Sequence, residues 1–503
     1  MYGLSFLKKM VAVLFLLSGI SASFDACGSP GSAENPPNVV FILVDDLGYK
    51  DIGCYGSSFY ETPNIDQLAR EGMKFSNAYA AASVCSPTRA SILTGKYPAR
   101  LKMTNWIPAP QEPVPFLNQL PLEEVTIAEA LKVAGYKTYF SGKWHLGYGD
   151  YYPEKQGFDE NFGGNWRGAV NRTYFSPYDL PNIEDGPEGE YLTDRVTKEA
   201  VNFIKETDKD KPFFLFLSFY AVHSPIQAKE QIKTKYENKL KSLPKTTGEK
   251  CLVEGDCVTR SNQDDPAYAA MVESVDQGVG KVLQELEKQQ FADNTVVIFM
   301  SDNGGLATLV KNNGMPPTSN MPLRAGKGWL YEGGIREPMI VKWPGVTKPG
   351  SVSDEPVISN DFYATILDIA NLPPSSYQHT DGLSLTPLLR GEKTLQREAI
   401  YWHYPHFHCF GERPSSAIRV GDYKLIERYE GDKIELYNLA NDIGERDDLS
   451  LKEPLVAAEL RKRLHAWLRS VDAGMPTAEG IEKAKKMIED GTFLSYMKPR
   501  KMD

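Results

Sequence analysis

The chain of 503 residues is 41% hydrophobic and 24% charged, so it has enough apolar side chains for a large folded core. Its formal net charge of −10 argues against a broad basic face for nucleic acid, although an anionic substrate stays compatible with a locally positive site. The length predicts two to four domains or one large α/β enzyme.

The N-terminus has the pattern of an export signal. Two lysines precede the apolar run 10–17, which is too short to span a membrane, and small residues follow it. Cleavage after Ala22 or Ser23 is one interpretation. Lipid attachment at Cys27 is the other, although the residues before Cys27 fit a lipoprotein box poorly. We predict an exported protein that is periplasmic, secreted or anchored as a lipoprotein at the cell surface, with membrane contact only if Cys27 is lipidated.

Buried strands and helical patterns alternate through much of the chain. Continuous apolar, largely β-branched runs are typical of strands that are buried on both faces. The predicted elements are strands at 38–44, 213–217 and 295–300, and helices at 126–134, about 191–206 and 267–289. This alternation predicts an α/β fold, with a large, mostly parallel sheet sandwiched by helices.

The pattern changes after about residue 393. Four short strand-like segments follow, and Gly-Asp pairs provide two of the turns between them. The predicted elements here are strands at 397–403, 416–420, 423–428 and 434–438, a helix near 453–470 and a lysine-rich helical tail. We predict a smaller C-terminal α+β subdomain with a four-stranded antiparallel sheet. The resulting division is a signal peptide and tether start in 1–27, a main domain in 36–393, and the C-terminal subdomain with its tail in 394–503.

The six cysteines leave the redox state open. They are Cys27, Cys54, Cys85, Cys251, Cys257 and Cys409. Cys251 and Cys257 lie close together in the polar, lysine-rich stretch 226–265, which we predict to be a surface insertion. They can either close a small loop as a disulfide or remain free thiols.

Acidic and amide side chains follow two of the buried strands. Asp45 and Asp46 come directly after the first strand, and Asp302 and Asn303 follow the strand that ends at Met300. Ligands gather at the carboxyl ends of strands in open α/β sheets, and hard oxygen donors suit Ca²⁺ or Mg²⁺. Such residues can also merely cap turns or helices, but two pairs at matching strand ends favour a metal site.

Four basic residues lie in segments that could also reach this edge of the sheet. Lys143 and His145 alternate on an extended segment, so both can face one cleft. His223 lies just beyond another buried strand, and Lys327 lies in a glycine-rich loop. Each of these residues alone is ordinary, since a lone histidine is usually structural and most lysines are solvated.

Cys85 lies in the run Ser83-Val84-Cys85-Ser86-Pro87-Thr88-Arg89, which is followed by an apolar pair and Thr94-Gly95. The run resembles the signature of the type I sulfatases, members of the alkaline-phosphatase-like superfamily whose cysteine is oxidised to formylglycine. The strand-end pairs and the basic residues occur in the same order as in that family. The resemblance covers roughly residues 38–440 and extends to bacterial carbohydrate sulfatases and arylsulfatase A-like enzymes.

The resemblance implies a set of site residues and cofactors. The implied metal ligands are Asp45, Asp46, Asp302 and Asn303, with Cys85, as formylglycine, completing the shell. The other implied active-site residues are Arg89, Lys143, His145, His223 and Lys327. The family favours Ca²⁺, with Mg²⁺ possible, and maturation would require a formylglycine-generating enzyme as a partner. The main domain 36–393 would then be a sulfatase catalytic domain.

The expected chemistry needs these residue types. Fixed positive charge stabilises the transferring sulfate. One hydroxyl of the hydrated aldehyde is expected to attack sulfur, and His223 with Lys327 to protonate the leaving oxygen. His145 would then take the proton from the second hydroxyl, so that the aldehyde reforms and sulfate departs.

The substrate must be argued separately, because fold does not set it. Aromatic residues cluster in 148–175 and 401–408, which suits sugar rings, although core packing is the plain alternative. We predict a sulfated saccharide, with galactose or N-acetylgalactosamine sulfate as a candidate. The predicted substrate contacts are Trp166, Arg324, His403 and His406. The alternatives are a phosphonate or phosphate ester hydrolase of the same superfamily, and a non-catalytic glycan-binding surface protein if Cys85 stays unmodified.

Overall fold

An eight-stranded sheet forms the centre of the computed structural model, which describes residues 36–244, 249–373 and 378–495. In these residues the strands are β1 (Asn38–Val44), β2 (Met73–Phe75), β3 (Ala78–Tyr79), β4 (Lys137–Gly142), β5 (Glu160–Phe162), β6 (Phe213–Ser218), β7 (Cys251–Glu254), β8 (Cys257–Arg260), β9 (Thr295–Ser301), β10 (Thr308–Val310), β11 (Met339–Lys342), β12 (Ser351–Ser353), β13 (Val357–Ile358), β14 (Ile400–Tyr404), β15 (Ser415–Val420), β16 (Tyr423–Arg428) and β17 (Lys433–Asn438). The main sheet has the order β12-β2-β11-β9-β1-β6-β4-β5. Strands β9, β1, β6, β4 and β5 are parallel, whereas β11 is antiparallel to both of its neighbours.

Helices cover both faces of this sheet. The helices are α1 (Pro63–Glu71), α2 (Cys85–Thr94), α3 (Pro98–Leu101), α4 (Ile127–Val133), α5 (Leu192–Glu206), α6 (Glu230–Ser242), α7 (Pro266–Lys288), α8 (Glu332–Ile335), α9 (Asp361–Ile369), α10 (Thr386–Leu389), α11 (Pro454–Ser470), α12 (Ala478–Glu489) and α13 (Thr492–Ser495). Val40 and Ile42 of β1 pack in one core with α5 and α7, while Val39 and Phe41 pack in the other with α2, α4 and α9. The predicted α/β sandwich is therefore confirmed.

The predicted elements of the main domain are confirmed with small shifts at their ends. Strand β1 has the predicted bounds, and β6 and β9 each extend one residue further. Helix α4 starts where its sequence requires, because the Thr126 hydroxyl accepts from the Glu129 N–H while the Glu129 carboxylate accepts from the Thr126 N–H.

The predicted antiparallel sheet near the C-terminus is also confirmed. Strands β14 to β17 pair in sequence order. One face carries Ile418 and Leu425 against Leu464 of α11, and the other carries Trp402 against Tyr79 of the main domain. Residues Pro36–Asp503 form one compact unit, so the boundary between 393 and 394 stays a prediction.

The polar stretch 226–265, which was predicted to be a surface insertion, contains regular secondary structure. It holds α6 and the β7–β8 hairpin, and β8 pairs with the distant β10. Cys251 lies opposite Arg260, whereas Cys257 lies opposite Glu254, so the two thiols stand at different ends of the hairpin and both are free. Of the two alternatives for this pair, the structure has the free thiols.

The predicted export signal and Cys27 lie outside the described residues. Among the helices that are described, none is long and apolar enough to cross a bilayer.

Candidate active site

The carboxyl ends of four adjacent strands lie level at one edge of the main sheet. Across β9, β1, β6 and β4, Val44 pairs with Ser301, Leu43 with Ser218, and Ser218 with Gly142. Side chains that follow these positions therefore meet in one place. The predicted site residues that follow these strands are Asp45, Asp46, Lys143, His145, His223, Asp302 and Asn303.

The backbone at this edge is unusual. Asp46 and His145 have φ values of 60° and 62°, in the left-handed region that non-glycine residues avoid. Gly142, at φ 105°, approaches β6 so closely that a Cβ there would lie 1.9 Å from the Ser218 carbonyl oxygen. Such strained positions cluster at functional sites, because the surrounding packing must hold them.

Two lysine–aspartate pairs are buried at this edge. Lys143 Nζ lies 2.6 Å from Asp45 Oδ2, and Lys327 Nζ lies 2.8 Å from Asp46 Oδ2. Burial opposes the charge on Lys327, but the charges of Asp46 and Asp45, the Cys85 side chain and the hydrogen bond to Asp46 together raise the pKa of the lysine. Lys327 therefore keeps its proton near neutral pH.

Helix α2 places Cys85 and Arg89 one turn apart beside the same edge. Arg89 Nε and Nη2 donate to Asp302 Oδ2 at 2.8 and 2.7 Å. Its Nη1 donates to the Lys143 carbonyl and to Ser218 Oγ, both at 2.7 Å. Arg89 is thus fixed between the helix and the strand ends.

The acidic residues fit a divalent cation. Asp45, Cys85 and Asp302 offer ligand atoms that lie within 4.8 Å of one another. Asp45 Oδ1 and Asn303 Oδ1 are buried and accept no hydrogen bond, which is costly unless a ligand contacts them. Burial raises the pKa of Asp45 well above its usual range, and the nearby Asp302 and Asp46 add to this effect. A hard cation would stabilise these ionised oxygens.

The Cys85 thiol contacts the imidazole of His145, with Sγ 3.2 Å from Nδ1. His145 Nε2 donates to the Ile107 carbonyl, so Nδ1 holds the lone pair and accepts from the thiol. Burial, followed by the charge of Lys143, lowers the pKa of His145 well below its usual range, and the ring is neutral at pH 7. His145 is therefore a base directed at the side chain of residue 85.

Burial also raises the pKa of the Cys85 thiol. The thiol is therefore protonated near neutral pH, and a protonated thiol is a poor nucleophile.

His223 faces Asp46 from the opposite side, with Nε2 3.7 Å from Asp46 Oδ2. Its Nδ1 donates to the Ser224 carbonyl at 2.7 Å, so the neutral ring turns an unprotonated Nε2 toward the site. Burial, followed by the charge of Lys327, lowers the pKa of His223 to about 3. Without a ligand, the proton of this acid–base pair resides on Lys327.

A cavity of about 200 Å³ opens above these residues. Cys85, His145, His223 and Lys327 lie at its base, and Trp166 lies on its wall. Sequence reasoning missed further wall residues, which include Trp106, Arg167, His408 and Cys409. His408 belongs to the aromatic run 401–408 that the sequence already marked, and Cys409 follows directly after it. Arg167 carried no sequence signal except its position beside Trp166.

Three of the predicted substrate contacts lie away from this cavity. Arg324 donates to Glu254 Oε2 at 3.2 Å and stacks over the Tyr331 ring at 4.0 Å. His403 contacts the carbonyl of Gly474 at 2.9 Å. His406 contacts Thr104 Oγ1 at 2.8 Å. Their contacts are internal to the protein, and this placement gives no support to a role in substrate binding.

Comparisons with known proteins agree with this geometry. The family model described as Sulfatase matches residues 37–372. The chain belongs to the sulfatase family. A second model, described as N-sulphoglucosamine sulphohydrolase, C-terminal, matches residues 325–473 of this sulfatase. The predicted family and its class, a sulfuric ester hydrolase, are confirmed.

Relatives cover almost the whole sulfatase. It is 34% identical to a protein named Sulfatase from Formosa agariphila, over 95% of this chain and 96% of that one. It is 35% identical to N-acetylgalactosamine-6-sulfatase from Homo sapiens, over 74% of this chain and 69% of that one. The crystal structure of Ps i-CgsB in complex with k-i-k-neocarrahexaose matches with a TM-score of 0.72 and 30% identity, over 91% of this chain and 100% of that one.

Proposed function

We propose that this sulfatase removes sulfate from a sulfated saccharide, using formylglycine formed at Cys85 and a bound Ca²⁺. The observation that carries the proposal is the environment of Cys85. Its thiol is buried, its pKa is raised, and it lies against a neutral base and beside two aspartates. A protonated thiol reacts poorly here, whereas oxidation to an aldehyde supplies a hydrate with two hydroxyls at the same position.

The metal ligands of the proposal are Asp45, Asp46, Asp302 and Asn303, together with residue 85. The unpaired Asp45 Oδ1 and Asn303 Oδ1 support this set. Calcium accepts six to eight oxygen ligands, so the set leaves room for a substrate oxygen, and Mg²⁺ is the alternative ion. A divalent ion held there would act as a Lewis acid on a sulfate oxygen.

Three cations would hold and polarise the sulfate group. Arg89, Lys143 and Lys327 are each fixed by an aspartate, so they need little reorganisation when charge develops. Removing any one would weaken the charge compensation of the buried carboxylate that it contacts. We therefore assign these residues to binding and stabilisation of the sulfate.

Proton transfer follows from the two histidines and Lys327. His145 Nδ1 lies against residue 85 and would remove a proton from it. Lys327 retains its proton and is our primary donor for the leaving oxygen. His223 is neutral in the free protein, and it would join as an acid once the negative charge of a bound sulfate ester raises its pKa.

A saccharide is supported by the cavity and by the relatives. Aromatic side chains such as Trp106 and Trp166 line this concave site, and aromatic faces suit contact with sugar rings. One relative is named for N-acetylgalactosamine 6-sulfate, and one similar structure holds a neocarrahexaose. Galactose and N-acetylgalactosamine sulfates are therefore the first substrates to examine. We further propose that the protein is exported and matured by a formylglycine-generating enzyme.

The proposal is tested by measuring inorganic anion release from defined esters. Protein coexpressed with a maturation enzyme is incubated with galactose 6-sulfate, N-acetylgalactosamine 6-sulfate, the matching 6-phosphates and a simple aryl sulfate, with Cys85→Ala as the matched control. We expect release of sulfate from a sugar ester that exceeds phosphate release. Faster phosphate release would favour the phosphoesterase alternative, and cleavage of the aryl ester alone would contradict a saccharide substrate.

A further inference from the structure

Arg167 is a cation on the cavity wall that lacks a counter-charge. The three other cations of the site, Arg89, Lys143 and Lys327, each form an ion pair with an aspartate. Arg167 forms none with the carboxylates of the described residues, and its buried Nε has no hydrogen-bond partner. The Arg167 side chain is half-buried, but its Nε is buried. A buried charged donor without an acceptor is costly, and a ligand in the cavity could supply that acceptor.

The position of this guanidinium is fixed. It stacks on the Trp166 ring, with Cζ 5.1 Å from the ring centroid. The Arg167 backbone N–H donates to Asn165 Oδ1 at 2.8 Å, and the buried Asn165 donates to the Gly163 and Pro181 carbonyls. The arginine is therefore held in place before any ligand binds, which lowers the entropic cost of binding.

The same segment contacts the catalytic base. The His145 N–H donates to the Asn165 carbonyl at 3.0 Å. Gly168 packs so closely on the imidazole that a Cβ there would lie 2.3 Å from His145 Cε1. Consecutive Cα atoms lie about 3.8 Å apart, so Arg167 is adjacent to the reaction centre. Its side chain can reach the sugar that carries the cleaved sulfate or the neighbouring sugar.

We propose that Arg167 forms a second anion subsite, which binds a sulfate or carboxylate group on the saccharide other than the sulfate that is cleaved. This inference rests on the proposed function and narrows its substrate to saccharides with at least two negative groups. The planar guanidinium can donate two parallel hydrogen bonds to either anion. A neutral hydroxyl could accept from Nε, but it would leave the positive charge uncompensated.

The test compares three substrates of the matured enzyme. The probes are N-acetylgalactosamine 6-sulfate, N-acetylgalactosamine 4,6-disulfate, and N-acetylgalactosamine 6-sulfate linked to a uronic acid. Released sulfate gives kcat/KM for each, and the two dianionic probes distinguish a sulfate from a carboxylate partner. We expect the wild-type enzyme to prefer at least one dianionic probe over the monosulfate by about tenfold, the size of one charge-assisted contact.

The variants determine whether Arg167 causes that preference. Arg167→Ala should reduce the preference about tenfold, mainly through KM. Arg167→Lys should retain part of the preference, because lysine keeps the positive charge but cannot donate two parallel hydrogen bonds. Arg172→Ala, an exposed arginine nearby that does not line the cavity, should keep the wild-type preference.

Two results would overturn the inference. A wild-type enzyme that prefers the monosulfate, or an Arg167→Ala variant with an unchanged preference, would contradict it while sulfate release leaves the proposed function intact. If the wild-type enzyme releases no sulfate from any of the three probes, the subsite inference fails for N-acetylgalactosamine substrates, whereas sulfate release from galactose 6-sulfate in the first assay would keep the proposed function.

Discussion

Two buried clusters of charged residues in this molecule differ in how completely their polar atoms are hydrogen-bonded. The joint cluster consists of Glu332 in α8, Lys424 in β16 and Glu445, and it connects the main domain to the C-terminal sheet. Lys424 Nζ lies 2.9 Å from Glu332 Oε1 and from Glu445 Oε1. The other two oxygens accept from the Tyr79 hydroxyl and from the Glu332 backbone N–H. Every carboxylate oxygen in this cluster has a partner.

The catalytic cluster at the strand ends is equally buried, but its hydrogen bonding is incomplete. Asp45 Oδ1 and Asn303 Oδ1 accept no hydrogen bond, and nearby Arg167 forms no ion pair with the carboxylates of the described residues. A completely satisfied cluster stabilises the fold, whereas unsatisfied atoms that face a cavity indicate a ligand. The two clusters therefore differ in the completeness of their hydrogen bonding and not in burial.

Removing the nucleophile should have the largest effect on function and a small effect on the fold. We expect Cys85→Ala to lower turnover by at least about 10⁴-fold, because no group replaces the hydrate. The free energy of unfolding should change by about 1 kcal/mol, as for a small buried side chain. Sulfate release and chemical denaturation measure the two quantities. Activity above that limit in the pure variant would contradict the role of residue 85.

Breaking the joint cluster should have a large effect on stability and a small effect on activity. We expect Lys424→Met to destabilise the protein by about 3–5 kcal/mol, because Glu445 would remain buried without a cation and Glu332 would keep only its ion pair with Arg336. The activity per folded molecule should persist, since Lys424 lies outside the cavity. Denaturant unfolding and active-site titration measure both. A loss below about 1 kcal/mol would show that the joint cluster contributes little to the fold.

Calcium should raise the free energy of unfolding by binding to the catalytic cluster and not to the joint cluster. At a hundredfold excess over its Kd, the ion should add about 2.7 kcal/mol to the free energy of unfolding, and a chelator should remove that gain. Asp45→Asn should reduce the gain, whereas Lys424→Met should keep it. Thermal unfolding with and without Ca²⁺ provides the measurement. An unchanged response in Asp45→Asn would exclude that carboxylate as a ligand.

Acidification should produce a graded loss of stability through two buried histidines, His403 in β14 and His406 just beyond that strand. Burial lowers the pKa of His403 to about 4 and of His406 to about 3. The unfolded chain binds these protons near pH 6.5, so their contribution is complete above that pH and is lost as the pH falls toward 4. Each histidine should contribute about 1.4 kcal/mol per pH unit in that window. We expect His406→Gln to reduce this slope, and an unchanged slope would rule out His406 as a contributor.

The sequence predicted most of the elements because their signals are local. Continuous apolar runs defined β1, β6 and β9, and the level carboxyl ends of parallel strands brought Asp45, Lys143 and Asp302 together. The pairing of β8 with β10 escaped prediction, because it depends on residues that lie far apart in the chain.

Substrate contacts were harder to predict, because they depend on which way each side chain points in the folded protein. His403 and Trp402 are neighbours, but alternation along β14 turns them to opposite faces, and neither enters the cavity. Arg167 is a candidate because its buried Nε has no hydrogen-bond acceptor in the structure. Whether a side chain has an acceptor depends on tertiary packing, which the sequence does not show. Residue type therefore indicated the chemistry, while only the packing separated cavity residues from core residues.

The most direct test of the account is the mass of the peptide that contains residue 85, taken from protein matured in its native host and assayed for sulfate release. We predict that the sulfur and two hydrogens of the Cys85 side chain are replaced by one oxygen, and that activity scales with the fraction converted. An intact thiol in fully active protein would contradict the account.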